Sequence, residues 1–419
     1  MSDYPFFFTW TSQDRASPVH LVGGEGAWFD TSDGARWLDL GSLTYQANVG
    51  HGHPRMIEAV RAQAARLCVS MPGAVYPEKI ELAERLLAIA PAGFTKVFFS
   101  LGGSDANENA LKMARLVTGR HKLMARYRSY HGSTMGAVTL SGDWRRPPVE
   151  PGIAGVIHVN DFDCHACPGG TRAPDCAHEP LTGFPRALEL EGSGTVAAVF
   201  VESVGGASGV LIPPPGALAR VREACDRHGT LLVVDEVLVG FGRTGRWLGL
   251  DHAPGVVPDM ITMGKALTGG YGALGAVLVH DRVARHFEHE TLYAGLTHYG
   301  HPLGIAAGLE AMRVYQEEGL IARAVALEPV LRDGLEHLRR EQPKPVLRSR
   351  VIGLLSATEL DLDDAGWSRL RLALKKNTVH AHVQQKSGAL ILSPPLCISE
   401  ADLREGLARI GRSIEEATS

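Results

Sequence analysis

The sequence predicts an α/β protein with a mostly parallel main sheet and a smaller α+β unit beside it. Five short apolar runs, 96–100 (KVFFS), 197–201 (AAVFV), 231–234 (LLVV), 260–263 (MITM) and 275–279 (GAVLV), recur between stretches of helical period. A strand apolar on both faces is buried on both faces, the condition of a parallel sheet covered by helices. From Leu320 the pattern changes: two-faced helices such as 324–339 alternate with short strands such as 389–392, the signature of a layered α+β unit. The expected boundaries are 55–315 for the large domain and 1–54 plus 316–419 for the small one.

Taken in order, the chain opens with MSDYPFFFTW, whose apolar run is too short and whose flank is too acidic, at Asp3, for an export signal. WFDTSDGARWLDL then places an Asp-Gly turn between two apolar runs and predicts a β-hairpin. GHGHP makes a turn, and a helix is expected from Pro54. After KVFFS comes LGGSDANENALKMAR, in which Gly102, Gly103 and Ser104 precede an amphipathic helix. The free backbone amides at such a helix start suit a phosphate; a plain Ser N-cap is the alternative. Tyr130, His131 and Gly132 occupy a turn where an aromatic face could stack on a flat ligand or close a core edge.

LLVV ends in Asp235 and Glu236. Two acids at the end of a buried strand need a cation or donors, unless they sit on a solvated loop. MITM leads to Gly264 and Lys265, where the amine is either held in a pocket or reaches past an apolar surface to water. A desolvated lysine has a lowered pKa and serves as nucleophile and base. Ligands of open α/β sheets bind beyond the carboxyl ends of the strands, which is where these groups fall.

Composition narrows the function. The chain has 419 residues, 45% hydrophobic and 21% charged, with a net charge of −4 and no long run of one sign. That excludes wholesale disorder and leaves no nucleic-acid footprint or polybasic membrane patch. The uncharged stretch 266–279 is short and glycine-rich, so no transmembrane helix is expected. Six cysteines in a chain this long are not a disulfide framework; reduced thiols and a cytoplasmic location are expected.

Together these residues resemble the class III pyridoxal-phosphate aminotransferases of fold type I, along nearly the whole chain. The most specific stretches are VVDEVLVGFGRTGRWLGLDH and PDMITMGKALTGGYGALGA, with Asp235 and Lys265 thirty positions apart. The resemblance implies a seven-stranded large-domain sheet and pyridoxal 5′-phosphate as cofactor. It implies that Lys265 holds the cofactor covalently and acts as base and acid, and that Asp235 pairs with the pyridine nitrogen. Tyr130 and Val237 would flank the ring, with His131 and Glu202 near it, and Gly103 and Ser104 would bind the phosphate. Thr297, in GLTHYGHPLG, matches a threonine lent across a dimer interface, so a homodimer with a shared site is implied. Arg350 and Gly353 match a signature read as structural.

RSYHGSTMGAVTLSGDWRR looks most like the taurine:pyruvate and related ω-aminotransferases, as does the aliphatic Leu238. An ω-amine or ω-amino acid donor, taurine- or β-alanine-like, and a keto acid acceptor such as pyruvate follow. Trp10, Tyr45 and Gln384 are assigned to the substrate pocket. Gln384 departs from the resemblance, because an arginine often stands nine residues before the serine of SPPL. A glutamine gives one weak neutral donor where arginine gives a charged fork, so acid recognition must move or weaken; Lys386 is one substitute. Rival readings are an aminomutase, racemase or decarboxylase using the same lysine and aspartate, and a non-catalytic binding relative. Cys164, Cys167, Cys176 and His178 have spacing a zinc site could use, yet thiols in a Pro/Gly-rich loop need no metal and none is expected.

Overall fold

A computed structural model describes residues 4–161, 183–192 and 194–418. The central sheet has seven strands in the order β4 (Phe94–Ser100), β10 (Gly275–His280), β9 (Met260–Met263), β8 (Leu231–Asp235), β7 (Val196–Glu202), β5 (Lys122–Arg126) and β6 (Val156–Val159). β5, β6, β7, β8 and β9 pair in parallel. β10 runs antiparallel to both β9 and β4, so six strands share one direction and a single strand opposes them. All five apolar runs are strands of this sheet. β5 and β6, which carry charge or histidine within four or five residues, escape the pattern of apolar runs.

Every residue of β7 is buried. Val199 and Val201 enter the core on one face of the sheet, while Ala198 and Phe200 enter the core on the other, as a pleat with a period of two requires. On the second face lies the helix Gly103–Thr118, which presents Ala106, Ala110, Met113 and Ala114 at helical spacing. Such cores hold their shape by close packing, and truncating Phe200 to Ala would cost about 3–5 kcal/mol.

Two four-stranded sheets complete the molecule. In one, the predicted hairpin, β2 (Trp28–Thr31) and β3 (Arg36–Asp39), lies between β1 (Leu21–Glu25) and β13 (Val379–His380). β13 pairs parallel with β3, Val379 opposite Leu38 and His380 opposite Asp39. The other sheet has the order β11 (Val346–Ile352), β12 (Leu355–Leu360), β15 (Ala389–Leu392) and β14 (His382–Gln384). Arg350 donates to the carbonyl of Gly209 and pairs with Glu359, and a side chain at Gly353 would fall 2.5 Å from the backbone of Thr244.

Arg243 ties these parts together. Fully buried, it donates to Ser42 Oγ at 3.0 Å, to Asn48 Oδ1, and to the carbonyls of Leu354 and Pro394. Burial pushes its pKa down to about 10, so the guanidinium keeps its charge. No helix among the described residues is long and apolar enough to cross a membrane.

Candidate active site

The site assembles at the carboxyl ends of β7, β8 and β9. Register places Glu202 beside Asp235, and Asp235 beside Thr262. Chain order brings Lys265 two residues past β9 and Ser104 four residues past β4. Ser104, Glu202, Asp235 and Lys265 line a cavity of about 1360 Å³.

Asp235 is 4% exposed and fully partnered. Its Oδ2 accepts from His131 Nδ1 at 2.7 Å and from Asn107 Nδ2 at 2.8 Å, and its Oδ1 accepts from the amide of Val237 at 2.9 Å. Asn107 is fixed in turn, its carbonyl accepting from Thr262 Oγ1 at 2.9 Å. A carboxylate this deep survives because three donors replace its water. His131 Nε2 is buried without a protein partner.

Lys265 opens a short 3-10 turn and has φ +45°, a strained conformation for a side chain of this kind. Burial pushes its pKa below the ordinary lysine value, against the pull of Asp235 and Glu202, and Arg145 lowers it further. Glu202 has its own pKa raised by burial, and it accepts from the amides of Tyr130 at 3.1 Å and Gly206 at 2.8 Å. It thereby anchors the turn that carries Tyr130.

Ser104 is not an N-cap. The helix starts at Gly103, and the Ser104 hydroxyl accepts from the amides of Ser133 and Thr134, each at 3.0 Å. First-turn amides of a helix have no partner within it and carry the positive end of its dipole. The segments converge because two residues lack side chains. A Cβ on Gly103 would fall 2.4 Å from Val237 Cγ1, and one on Gly132 would fall 2.4 Å from Ser104 Oγ.

The opposite wall comes from distant parts of the chain. Trp10 and Trp144 pack edge to face, Tyr45 stacks on His382 at 3.8 Å between ring centres, and Gln384 lies beside the Tyr45 hydroxyl. Lys386 and Leu238 also line the cavity. Thr297 is exposed and is not brought to the cavity by its own chain. Cys164, Cys167, Cys176 and His178 lie outside the described residues, and no group of metal-ligating side chains occurs among the described ones.

Three neighbours of the cavity floor and wall escape a reading of the sequence. Asn107 leaves a faint trace, as a polar residue on the apolar face of its helix. Arg145 and His382 leave none, because Trp10 and Tyr130 over the one and Tyr45 over the other are brought there by folding.

The sequence model of the family described as "Aminotransferase class-III" matches residues 11–414. A probable aminotransferase of Mycobacterium tuberculosis is 38% identical over 76% of this chain and 70% of its own length. An omega-aminotransferase of Caulobacter vibrioides is 34% identical over 84% of this chain and 83% of its own. Among solved structures, the taurine:2-oxoglutarate aminotransferase of Bifidobacterium kashiwanohense, in complex with PLP and glutamate, is 34% identical and superposes with a TM-score of 0.91 over 98% of this chain and 95% of that one.

Proposed function

The chain belongs to the class III aminotransferases and depends on pyridoxal phosphate, and from that premise we propose that it moves an amino group from an ω-amine or ω-amino acid, taurine- or β-alanine-like, to a keto acid such as pyruvate. The observation that carries this reading is one cavity faced by an enclosed lysine, a three-donor aspartate and the amino end of a sixteen-residue helix. The likeness to the omega-aminotransferase and to the taurine enzyme supports the donor class.

The residues fit the cofactor on chemical grounds. The amides of Gly103 and Ser104 and the Ser104 hydroxyl would hold the phosphate dianion. Asp235, kept in place by His131, Asn107 and the Val237 amide, would hold a protonated ring nitrogen by charge. Tyr130 and Val237 would confine the flat ring, and His131 lines the same space. Bound there, pyridoxal phosphate supplies the electron sink for a carbanion at the donor carbon.

The rest is work for Lys265. Its neutral amine, favoured by burial, would hold the cofactor covalently and, when free, would take a proton at Nζ from the donor carbon and deliver it on the cofactor side, so that the amino group stays behind when the donor leaves as a carbonyl compound. Glu202 orients the Tyr130 turn through its two backbone bonds. Thr297, exposed in its own chain, is assigned to the partner's phosphate site, which makes the working unit a homodimer.

The test is a half-reaction. Cofactor-loaded enzyme mixed with a panel of ω-amines, without keto acid, loses its visible cofactor absorption and releases one carbonyl product per site, and pyruvate or 2-oxoglutarate restores the absorption. Sustained turnover of an amine with no keto acid present would overturn this reading in favour of isomerisation or decarboxylation.

A further inference from the structure

Backbone strain in the molecule gathers at one turn. Of the nine described non-glycine residues with a positive φ, three fall in Ser42–Tyr45: Ser42 at +47°, Leu43 at +54° and Tyr45 at +64°. Left-handed backbone is costly for such side chains and persists only where the surroundings over-determine it. The turn carries Tyr45, buried, to the lining of the cavity.

What holds the turn lies behind it, in side chains from β3, β13 and β14. Asp39, fully buried, accepts from the amides of Gly41 and Leu43, each at 2.9 Å, and is itself held by His51 Nε2 at 2.8 Å. His380 Nε2 donates to the Leu43 carbonyl at 2.8 Å, and His382 Nε2 donates to the Gly41 carbonyl at 2.9 Å. Both nitrogens carry a proton there, since a carbonyl only accepts. Gly41 lies under the two imidazoles: a Cβ on it would fall 2.7 Å from His380 and 3.0 Å from His382. The four backbone polar groups of Gly41 and Leu43, on either side of Ser42, are thus all held by three side chains. Space-filling alone requires no such match of donor to acceptor. His382 extends the clamp to the side chain itself by stacking on the Tyr45 ring.

We propose that Asp39, His380 and His382 are positioning residues of the cleft: through the strained turn they set the place of Tyr45, and with it the size of the group a donor can present to that wall. This rests on the aminotransferase reading above. Released from the clamp, the turn relaxes to ordinary φ values, Tyr45 loses its fixed place, and a bulkier group fits. His380 is not part of the cavity lining, so its effect on substrate choice passes through the turn.

The test uses cofactor-loaded enzyme and the variants His380→Leu, His380→Gln and His382→Phe, each checked for native circular dichroism and cofactor absorbance. Gln restores a donor toward the Leu43 carbonyl and Leu does not, while Phe keeps a ring on Tyr45 and removes the donor to Gly41. Hydrogen exchange of the peptide 40–47, read by mass spectrometry, is expected to quicken by about 10-fold in His380→Leu and to return toward wild type in His380→Gln. Steady-state kinetics with n-propylamine and 2-phenylethylamine, which differ in bulk and not in charge, read the wall. In His380→Leu, kcat/KM for n-propylamine is expected to fall about 5- to 10-fold through KM while that for 2-phenylethylamine holds or rises, and His380→Gln recovers most of the difference. His382→Phe shifts the ratio the same way by a smaller factor, because Ser393 Oγ still donates to the Gly41 carbonyl at 3.1 Å.

Faster exchange with an unchanged ratio of the two amines would show that the clamp serves the fold alone and would overturn the proposal. So would unchanged exchange in His380→Leu, or equal losses for both amines. If His380→Leu does not fold, His382→Phe carries the same comparison. If wild type transfers no amino group, the aminotransferase reading fails by itself, and calorimetry with propionate and 3-phenylpropionate, unreactive probes of the same difference in bulk, decides the role of the clamp.

Discussion

The floor of the cavity and its wall are built by opposite strategies. On the floor, hydrogen bonds link Asp235, Asn107 and Thr262 where the helix Gly103–Thr118 meets the ends of β8 and β9, and Glu202 stands beside Asp235 at the end of β7, each polar atom held by an amide or a side chain within 3.1 Å. The wall is a collection of rings and long side chains from residues 10, 45, 144–145 and 382–386, stacked more than hydrogen-bonded. A saturated network fixes the geometry that bond chemistry requires, whereas stacked side chains can be exchanged singly without collapse. The difference assigns reaction type to the floor and choice of substrate to the wall.

The sharpest break comes at Lys265. Lys265→Ala is expected to lower turnover by at least about 10⁴-fold with the thermal midpoint changed by only a few degrees, as measured by steady-state kinetics and circular dichroism. Asp235→Asn follows, with kcat down roughly 10²- to 10³-fold because the charge opposite the ring nitrogen is gone; cofactor binding by absorbance should persist. Wild-type kinetics in either variant would dissolve the distinction between floor and wall.

Arg243 sits behind the wall and joins it to the sheet. Arg243→Leu strands the buried acceptors of Leu354, Pro394 and Asn48, and should cost about 3–5 kcal/mol in chemical denaturation.

Glu236, next to the floor, gives a pH signature. Burial raises its pKa to about 7, opposed by the amides of Gly249 and Leu250. The folded state therefore binds the proton more tightly than the unfolded chain does. The resulting stability is complete below the ordinary glutamate value near 4.5 and is lost as pH rises through about 7. Thermal midpoints of wild type against Glu236→Gln, followed from pH 4.5 to 8, should show the wild type losing ground by a few degrees over that window. The smallest effect is expected at Gln384→Ala, a change of about 2- to 10-fold in kcat/KM for acid donors, as befits one neutral donor on the wall.

The same contrast explains what can be read from the chain before folding. Floor residues sit directly after buried strands, so Asp235 and Lys265 follow from LLVV and MITM, and Gly103 and Ser104 from KVFFS. The sheet itself is legible wherever a strand is apolar throughout; β5 and β6, with Lys122, Arg126 and His158, are not. The wall has no local pattern of its own: Trp10, Tyr45 and Gln384 are assigned to it through the resemblance to a family, and the rest is not legible. Arg145 stands next to Arg146 in a polar turn and looks solvated, until Trp10 and Tyr130 are brought over it by tertiary folding. Asn107 is intermediate, a polar residue on an apolar helical face whose partner lies on a strand far along the sequence.

The parallel pairing of β13 with β3 sets a timetable for biosynthesis. About 340 residues separate His380 from its partner Asp39, so at 5–20 residues per second a ribosome takes roughly 20–70 s to deliver the strand that covers that edge. Throughout that interval the first hairpin waits with an open edge, a template for pairing with other nascent chains. The strands of the central sheet emerge earlier and can pack meanwhile. The catalytic floor is thus synthesised before the wall is complete, because the wall waits for residues 382–386, and a message truncated ahead of residue 379 yields a chain that lacks this last piece of it.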